Sequence, residues 1–239
     1  MSVSLRRPPA PEWLTNSAPA RFWHATVGKK AVMATTGALL LLFLVAHMIG
    51  NLKVFFGAAA YDHYAHWLRT LGEPVLPFGW FLWILRAVLL AAVVLHIVAA
   101  AQLALRAKRA RPVGYAGRTR VRGGYAARTM RWGGVLIALF VVYHLLDLTV
   151  GTVNPDFRTG EPFHNLTASL GVWFVTLFYT AAMAALALHI RHGLWSALQT
   201  LGVVGGRERV TRWGATAVAF VICGGFVIVP WAVLLGLVR

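Results

Sequence analysis

Five long apolar runs separated by polar segments constrain what this chain can fold into more than any other feature. They cover residues 31–52, 78–105, 132–150, 168–190 and 213–238. A membrane-crossing helix needs about 20 apolar residues, and each run supplies roughly that number. With 59% hydrophobic and 13% charged residues, the 239-residue chain carries more apolar surface than a soluble domain buries. We therefore predict an all-α integral membrane protein with five transmembrane helices, forming one domain over 1–239 without repeats.

The basic residues are distributed as in a membrane protein. The formal net charge of +16 is typical of nucleic-acid binders, but the positive residues interrupt the apolar runs instead of lining a soluble face. They concentrate in segments 1–30, 106–131 and 191–212, which five crossings place on one side. The positive-inside rule then predicts a multi-pass protein of the cytoplasmic (inner) membrane. Residues 1–30 form its cytoplasmic N-terminal segment, and no removable signal peptide is expected.

Cysteine usage excludes several cofactor classes. Cys223 is the only cysteine, and it lies inside the fifth run. One thiol permits no internal disulfide, no covalent CxxCH heme attachment and no self-contained iron–sulfur cluster.

Four histidines recur inside the apolar runs, one in each of the first four. His47, His96, His144 and His189 are separated by 49, 48 and 45 residues, about one crossing plus one loop per step. An imidazole inside a bilayer is costly and usually marks a functional site. A single one often hydrogen-bonds a neighbouring helix or lines a proton path. Four of them favour a common role.

The predicted topology gives each histidine a depth. At about 1.5 Å per helical residue, His47 lies about 26 Å and His144 about 20 Å from the basic residues at the inner ends of their helices. On the same rise His96 lies about 15 Å and His189 about 3 Å from theirs. The four therefore sort into an outer pair, His47 with His144, and an inner pair, His96 with His189.

Two imidazoles from facing helices can bind one metal centre from opposite sides. In a four-helix bundle the expected centre is a b-type heme, held without covalent attachment. We therefore expect the first four helices to form a heme-binding bundle with two hemes, about 14 Å apart in depth by helical rise. The fifth helix packs outside it. Small residues beside the ligands leave room for a flat macrocycle: Ala46, Gly50, Ala99 and Ala185. A zinc site is less favoured, because no carboxylate or thiol completes either pair.

Several stretches resemble the diheme cytochrome b membrane-anchor subunit of succinate dehydrogenases and fumarate reductases (succinate:quinone oxidoreductases). GKKAVMATTGALLLLFLVAHMIGNLKVFFG (28–57) is similar to the first helix of that family, and YAHWLRTLGEPVLPFGWFLWILR (64–86) to its first outer loop and second-helix start. The most specific stretch is YHLLDLTVGTVNPDFRTGEPFHNLTASL (143–170). LALHIRHGLW (186–195) resembles the fourth-helix ligand motif. The resemblance covers most of the chain.

The resemblance implies two b hemes, a distal one on His47 and His144 and a proximal one on His96 and His189. His192, three residues from His189, is the alternative ligand. It also implies flavoprotein and iron–sulfur subunits bound at the cytoplasmic face, a membrane quinone (menaquinone) as electron partner, and an enzyme role as the membrane subunit. A higher oligomer of the complex is open. Ala187 stands where some relatives carry a carboxylate, which argues against a proton route there.

Other polar residues have weaker assignments. Arg86, near the outer end of the second run, is a candidate for a heme propionate or for snorkelling to the interface. Asp147 is assigned a structural role one turn after His144. His164 and Asn165 are expected to organise the outer loop. An outer group is a candidate for a quinone or proton-exchange site: Asp62, His63, His66, Arg69 and Glu73. An inner group is a candidate for contact with a quinone or with the iron–sulfur subunit: His24, Lys29 and Lys30.

Two alternative functions remain at this level. One is a heme-free anchor that docks the soluble subunits and shapes a quinone pocket. The other is the cytochrome b subunit of a different respiratory enzyme, such as a nitrate reductase or hydrogenase. A transporter is least favoured, because no broken, paired helices stand out.

Overall fold

A computed structural model describes residues 17–110, 124–202 and 204–238, with the side chains of 124–129 left out. The arginines at positions 6, 7, 111, 118, 120 and 122, and Trp13, lie outside this part. The described elements are all helical: α1 (Ala18–His24), α2 (Thr26–Leu52), a 3₁₀ turn (Lys53–Phe56), α3 (Ala58–Thr70), α4 (Trp80–Arg109), α5 (Gly124–Leu145), a π-helical turn (Leu146–Val150), α6 (Pro162–Leu170), α7 (Trp173–Thr200) and α8 (Glu208–Leu234).

Five of these helices are long and apolar enough to cross a membrane: α2, α4, α5 with its π-helical turn, α7 and α8. The prediction of an all-α membrane protein with five spans is therefore confirmed. Large apolar side chains, such as Leu42, Leu90 and Phe220, are exposed along these helices. Such surfaces suit contact with lipid tails.

The spans differ from the predicted runs at their ends. The fourth begins at Trp173 instead of 168, because Pro162–Leu170 forms a separate helix that starts with a proline in its first turn. Part of the connection predicted as turns is therefore helical. The same span continues past Arg191 to Thr200, so His189 lies well inside the helix.

The spans pack as two pairs joined by the fifth helix. α2 packs along α4, and α5 packs along α7; the two pairs approach each other most closely through α2 and α7. α8 lies against α7 and α2, with the Trp231 indole donating to Thr180 Oγ1 at 3.2 Å. The predicted position of the fifth helix beside the four-helix bundle agrees with this packing.

Short helices and loops cover the predicted outer end. Asp62 on α3 accepts a hydrogen bond from the backbone N–H of Phe163 at the start of α6, at 2.9 Å. Asn165 bonds both backbone groups of Arg158, at 2.6 and 2.7 Å, and His164 Nε2 lies 3.0 Å from the Asp156 carbonyl. His164 and Asn165 thus organise the outer loop as predicted.

At the opposite end α1 folds back onto α2. Gly28 permits this approach, because a Cβ there would overlap the Phe22 carbonyl. The buried Lys29 ammonium donates to the Trp23 carbonyl and lies 4.7 Å from the centre of its ring. Arg106 on α4 donates to the His24 carbonyl at 2.9 Å. These contacts fasten the N-terminal helix to the first two spans.

Candidate functional site

Two histidines from α2 and α5 meet at one level of the bundle. The ring centres of His47 and His144 are 5.9 Å apart, and the ring planes cross at 82°. We call these the outer pair, after the predicted topology. Both rings are partly buried among aromatic neighbours, and the depth argument from the sequence predicted this pairing.

The other two histidines meet in the same way between α4 and α7. The ring centres of His96 and His189 are 6.2 Å apart, with planes at 58°. We call these the inner pair. It is His189, rather than the alternative His192, whose ring lies opposite His96.

The ring separations suit a shared metal ion. An ion bound at about 2 Å from one nitrogen of each of two opposed imidazoles places the ring centres about 6 Å apart. Both measured separations lie close to this value. In the part of the chain that the structure describes, no group of three or more His, Cys, Asp or Glu side chains is arranged to hold a metal ion. Each pair could therefore offer two ligands to a metal ion.

Glycines fix the distance between the two pairs. A Cβ at Gly37 of α2 would lie 3.4 Å from His96 Cε1, and one at Gly134 of α5 would lie 3.8 Å from His189 Cε1. Ten residues separate Gly37 from His47, and ten separate Gly134 from His144. Two different helices thus give the same spacing between the levels, about 15 Å at the rise of an α-helix.

This spacing belongs to a short internal repeat that the prediction of a chain without repeats overlooks. Both outer histidines follow a glycine by ten residues and a phenylalanine by four, as GALLLLFLVAH (37–47) and GVLIALFVVYH (134–144). Phe43 stacks on His47 with centres 5.2 Å apart, and Phe140 stacks on His144 at 5.8 Å. Aligning the two apolar runs on their histidines reveals the motif.

Hydroxyl groups orient one histidine of each pair. The Thr36 hydroxyl donates to the Val32 carbonyl at 2.7 Å, so its oxygen is left to accept from His96 Nδ1 at 3.2 Å. The Tyr179 hydroxyl donates to Asp147 Oδ2 at 2.7 Å, and its oxygen lies 3.3 Å from His144 Nδ1. Both contacts favour the tautomer with the proton on Nδ1, which leaves the Nε2 lone pair for a metal. Sequence reasoning missed Thr36 and Tyr179.

His189 lacks such a partner. Its Nδ1 is the one buried side-chain nitrogen or oxygen, among the residues described, without a hydrogen bond. In the internal repeat, Gly133 occupies the position of Thr36 and offers no hydroxyl. A buried polar atom without a partner costs free energy, and a metal ion bound directly at this nitrogen would remove that cost. The residues present therefore fit a metal-carrying group at both levels.

The fifth span contributes to the outer pair although it carries no histidine. The Phe226 ring of α8 lies 5.7 Å from the His47 ring, at 47°. Gly225 next to it lets α8 approach α2, because a Cβ at this position would overlap the Met48 side chain. α8 therefore forms part of the wall around His47.

Arg86 and Gly50 contact aromatic side chains outside the two histidine pairs. Arg86 is exposed, and its guanidinium carbon lies 4.8 Å from the centre of the Trp83 ring. Its role toward a propionate stays a prediction. Gly50 is buried beneath Tyr64 of α3, whose ring would be 3.0 Å from an added Cβ. Gly50 therefore lets α3 pack closely against α2, whereas Gly37 and Gly134 lie next to histidine rings.

Polar residues line a cavity at each end. The cavity at the outer end has a volume of about 520 Å³ and is lined by Lys53, Ala60, His63, Tyr64 and Trp67. Near it, burial and the adjacent Asp62 and Tyr64 raise the pKa of Tyr61 to about 12. At the inner end about 270 Å³ is lined by Trp23, His24, Lys29, Gln102, Leu105, Arg106 and Arg109. His66 lies against Phe78 instead, and Asp62 is bonded to α6.

Comparison of the sequence with protein-family models and with curated proteins, and of the fold with solved structures, gives no significant match.

Proposed function

We propose that this chain is the membrane cytochrome b subunit of a succinate:quinone oxidoreductase, with an outer b heme on His47 and His144 and an inner b heme on His96 and His189. The observation that carries the proposal is geometric. Two imidazole pairs, with ring centres 5.9 and 6.2 Å apart, lie at two levels between four long apolar helices. The sequence resemblance to diheme anchors supports the same assignment.

Each histidine pair would hold one b heme, whose porphyrin would supply the ligands that the pair does not offer. When bound, each heme would provide a one-electron carrier held by the two histidines of its pair. Hydrogen bonds with Thr36 and Tyr179 orient the rings of His96 and His144. Phe43, Phe140 and Phe226 flank the outer pair with apolar surface. Two hemes at levels about 15 Å apart along the helices would carry electrons between the two membrane faces.

The charge distribution supports docking of soluble subunits at one face. Exposed basic residues lie at the ends of α4 and α8 that the topology places together: Lys108, Arg109, Arg207, Arg209 and Arg212. Among these, Arg212 has an acidic neighbour within the chain, Glu208 at 3.9 Å. We propose that this face, in the cytoplasm, binds the iron–sulfur and flavoprotein subunits. Electrons then pass from the iron–sulfur subunit through the inner and outer hemes to menaquinone, or in the reverse direction during fumarate reduction.

The test is purification of the tagged full chain from its native membrane with whatever subunits accompany it. We expect low-spin b-type absorption, two hemes per chain by pyridine hemochromogen assay, and reduction of heme by succinate. Co-purifying flavoprotein and iron–sulfur subunits would support the complex. A chain with succinate activity but no heme would indicate a heme-free anchor. Heme without a succinate-oxidising partner would indicate another respiratory enzyme.

A further inference from the structure

A buried carboxylate is linked to one ligand of the outer pair through a tyrosine. Asp147 lies in the π-helical turn that follows α5 and is only 1% exposed. Its Oδ2 accepts the hydroxyls of Tyr179 and Ser169, each at 2.7 Å. The Tyr179 oxygen in turn lies 3.3 Å from His144 Nδ1. These contacts form one hydrogen-bond network: His144 contacts Tyr179, and Tyr179 and Ser169 both donate to the Asp147 carboxylate.

The direction of each bond follows from the groups. A carboxylate only accepts, so the Tyr179 proton points to Asp147. The remaining lone pairs of the tyrosine oxygen then accept the Nδ1 proton of His144. Hydrogen bonding to this second nitrogen raises the basicity of a metal-bound imidazole, as do carboxylates behind metal-bound histidines generally. Asp147 lies three residues after His144, so the two side chains emerge from neighbouring positions on the same side of the helix.

The outer pair is asymmetric in this respect. Gly50 is the residue three positions after His47, so the internal repeat provides no matching carboxylate on α2. His96 of the inner pair bonds the neutral Thr36, and His189 Nδ1 has no partner among the described residues. In the described structure, the carboxylate chain is therefore specific to one of the four rings.

From this geometry we infer that Asp147 and Tyr179 are positioning residues that lower the reduction potential of the outer heme by strengthening His144 as a ligand. The inference rests on the proposed function. Negative charge behind an axial ligand stabilises the oxidised, more positive iron, and the same bond holds the imidazole plane. Removal of either residue should therefore favour the reduced outer heme and leave the inner one unchanged.

The experiment is a redox titration of both hemes in the purified complex, with ferric low-spin EPR spectra as a second readout. The variants are Asp147→Asn, Tyr179→Phe, and the two combined. Asp147→Asn keeps an oxygen acceptor of the same size and removes the charge. Ser169→Ala is the matched control, because Ser169 bonds the same Oδ2 without contacting His144.

We expect Asp147→Asn and Tyr179→Phe each to shift the outer-heme equilibrium toward reduction about tenfold, or about 59 mV for one electron. Residues that act in one chain are non-additive, so the double variant should shift no further than the larger single one. Ser169→Ala should shift less than threefold. The outer-heme EPR signal should change in both single variants and in the double variant, and stay unchanged in Ser169→Ala.

An unchanged outer potential in Asp147→Asn, equal shifts of both hemes, or fully additive shifts would each overturn the inference while leaving the proposed function intact. A wild-type complex without heme would overturn both. If Tyr179→Phe fails to assemble, Asp147→Asn still decides the outcome.

Discussion

Gly37 of α2 packs against the ring of His96 on α4, and a Cβ at this position would lie 3.4 Å from the imidazole Cε1. A methyl group would be in ordinary contact there, whereas a larger side chain would meet the ring. We predict that Gly37→Leu displaces His96 and lowers heme content from two per chain to one. Gly37→Ala should keep both hemes.

The control for this substitution is Gly214→Leu on α8, where an added Cβ meets nothing within 4 Å. Pyridine hemochromogen assay and reduced-minus-oxidised spectra of the purified complexes measure the outcome. Loss of the outer heme instead of the inner one would contradict the register that Gly37 defines.

The two histidine pairs predict separate losses on substitution. His144→Ala should remove the outer heme and leave the inner one, and His96→Ala should do the reverse, because each variant deletes one axial ligand of one centre. Redox titration with optical detection separates the two hemes. His164→Ala in the outer loop is the control and should keep both. Two hemes in both ligand variants would show that the pairing is wrong.

The choice between neighbouring histidines of α7 can be tested directly. The His189 ring is 6.2 Å from His96 and has an unpartnered buried nitrogen. We therefore predict that His189→Ala halves the heme content and that His192→Ala leaves it at two per chain. The reverse result would assign the inner ligand to His192.

Alkaline pH should weaken the outer end of the protein. The pKa of Tyr61 is raised to about 12 by burial and by the neighbouring Asp62 and Tyr64, against an unfolded value of about 10. The folded state therefore favours the neutral phenol, and its contribution to stability is complete below pH 10 and lost as pH rises to 12. At two pKa units the loss is at most about 2.7 kcal/mol.

Thermal unfolding in detergent between pH 9 and 12 measures this effect. Tyr61→Phe keeps the ring against Phe163, 6.0 Å away, and removes the ionisable group. The variant should lose less stability than the wild type over this interval. Parallel pH profiles for the two proteins would contradict the assignment to Tyr61.

The sequence predicted the spans and the histidine pairs because both depend on simple periodic quantities. Run length determines whether a helix crosses the bilayer, and spacing along the runs gave His47 and His144 one depth and His96 and His189 another. The position of the outer loop in the chain could be predicted, but its structure could not. The helix that starts at Pro162 is held by a hydrogen bond to Asp62, between residues 101 positions apart.

The second layer of the site was less accessible to sequence reasoning. Thr36 and Tyr179 are ordinary residues for their helices, and only the packing of α2 on α4 and of α5 on α7 brings their hydroxyls to histidine rings. Gly37 and Gly134 carried a signal, since each precedes an outer histidine by ten residues. Asp147 was assigned a structural role, and its bond to Tyr179 depends on the packing of α5 and its π-helical turn on α7.

The histidine pairs join alternate spans: the first with the third, and the second with the fourth. Neither pair can therefore form from a single helical hairpin during synthesis. The outer pair would be complete once the third span has entered the bilayer, and the inner pair only after the fourth. A chain synthesised only as far as residue 150 would contain both outer histidines and one of the two inner histidines. The interleaved order of the histidines therefore implies that the outer pair can form before the inner pair.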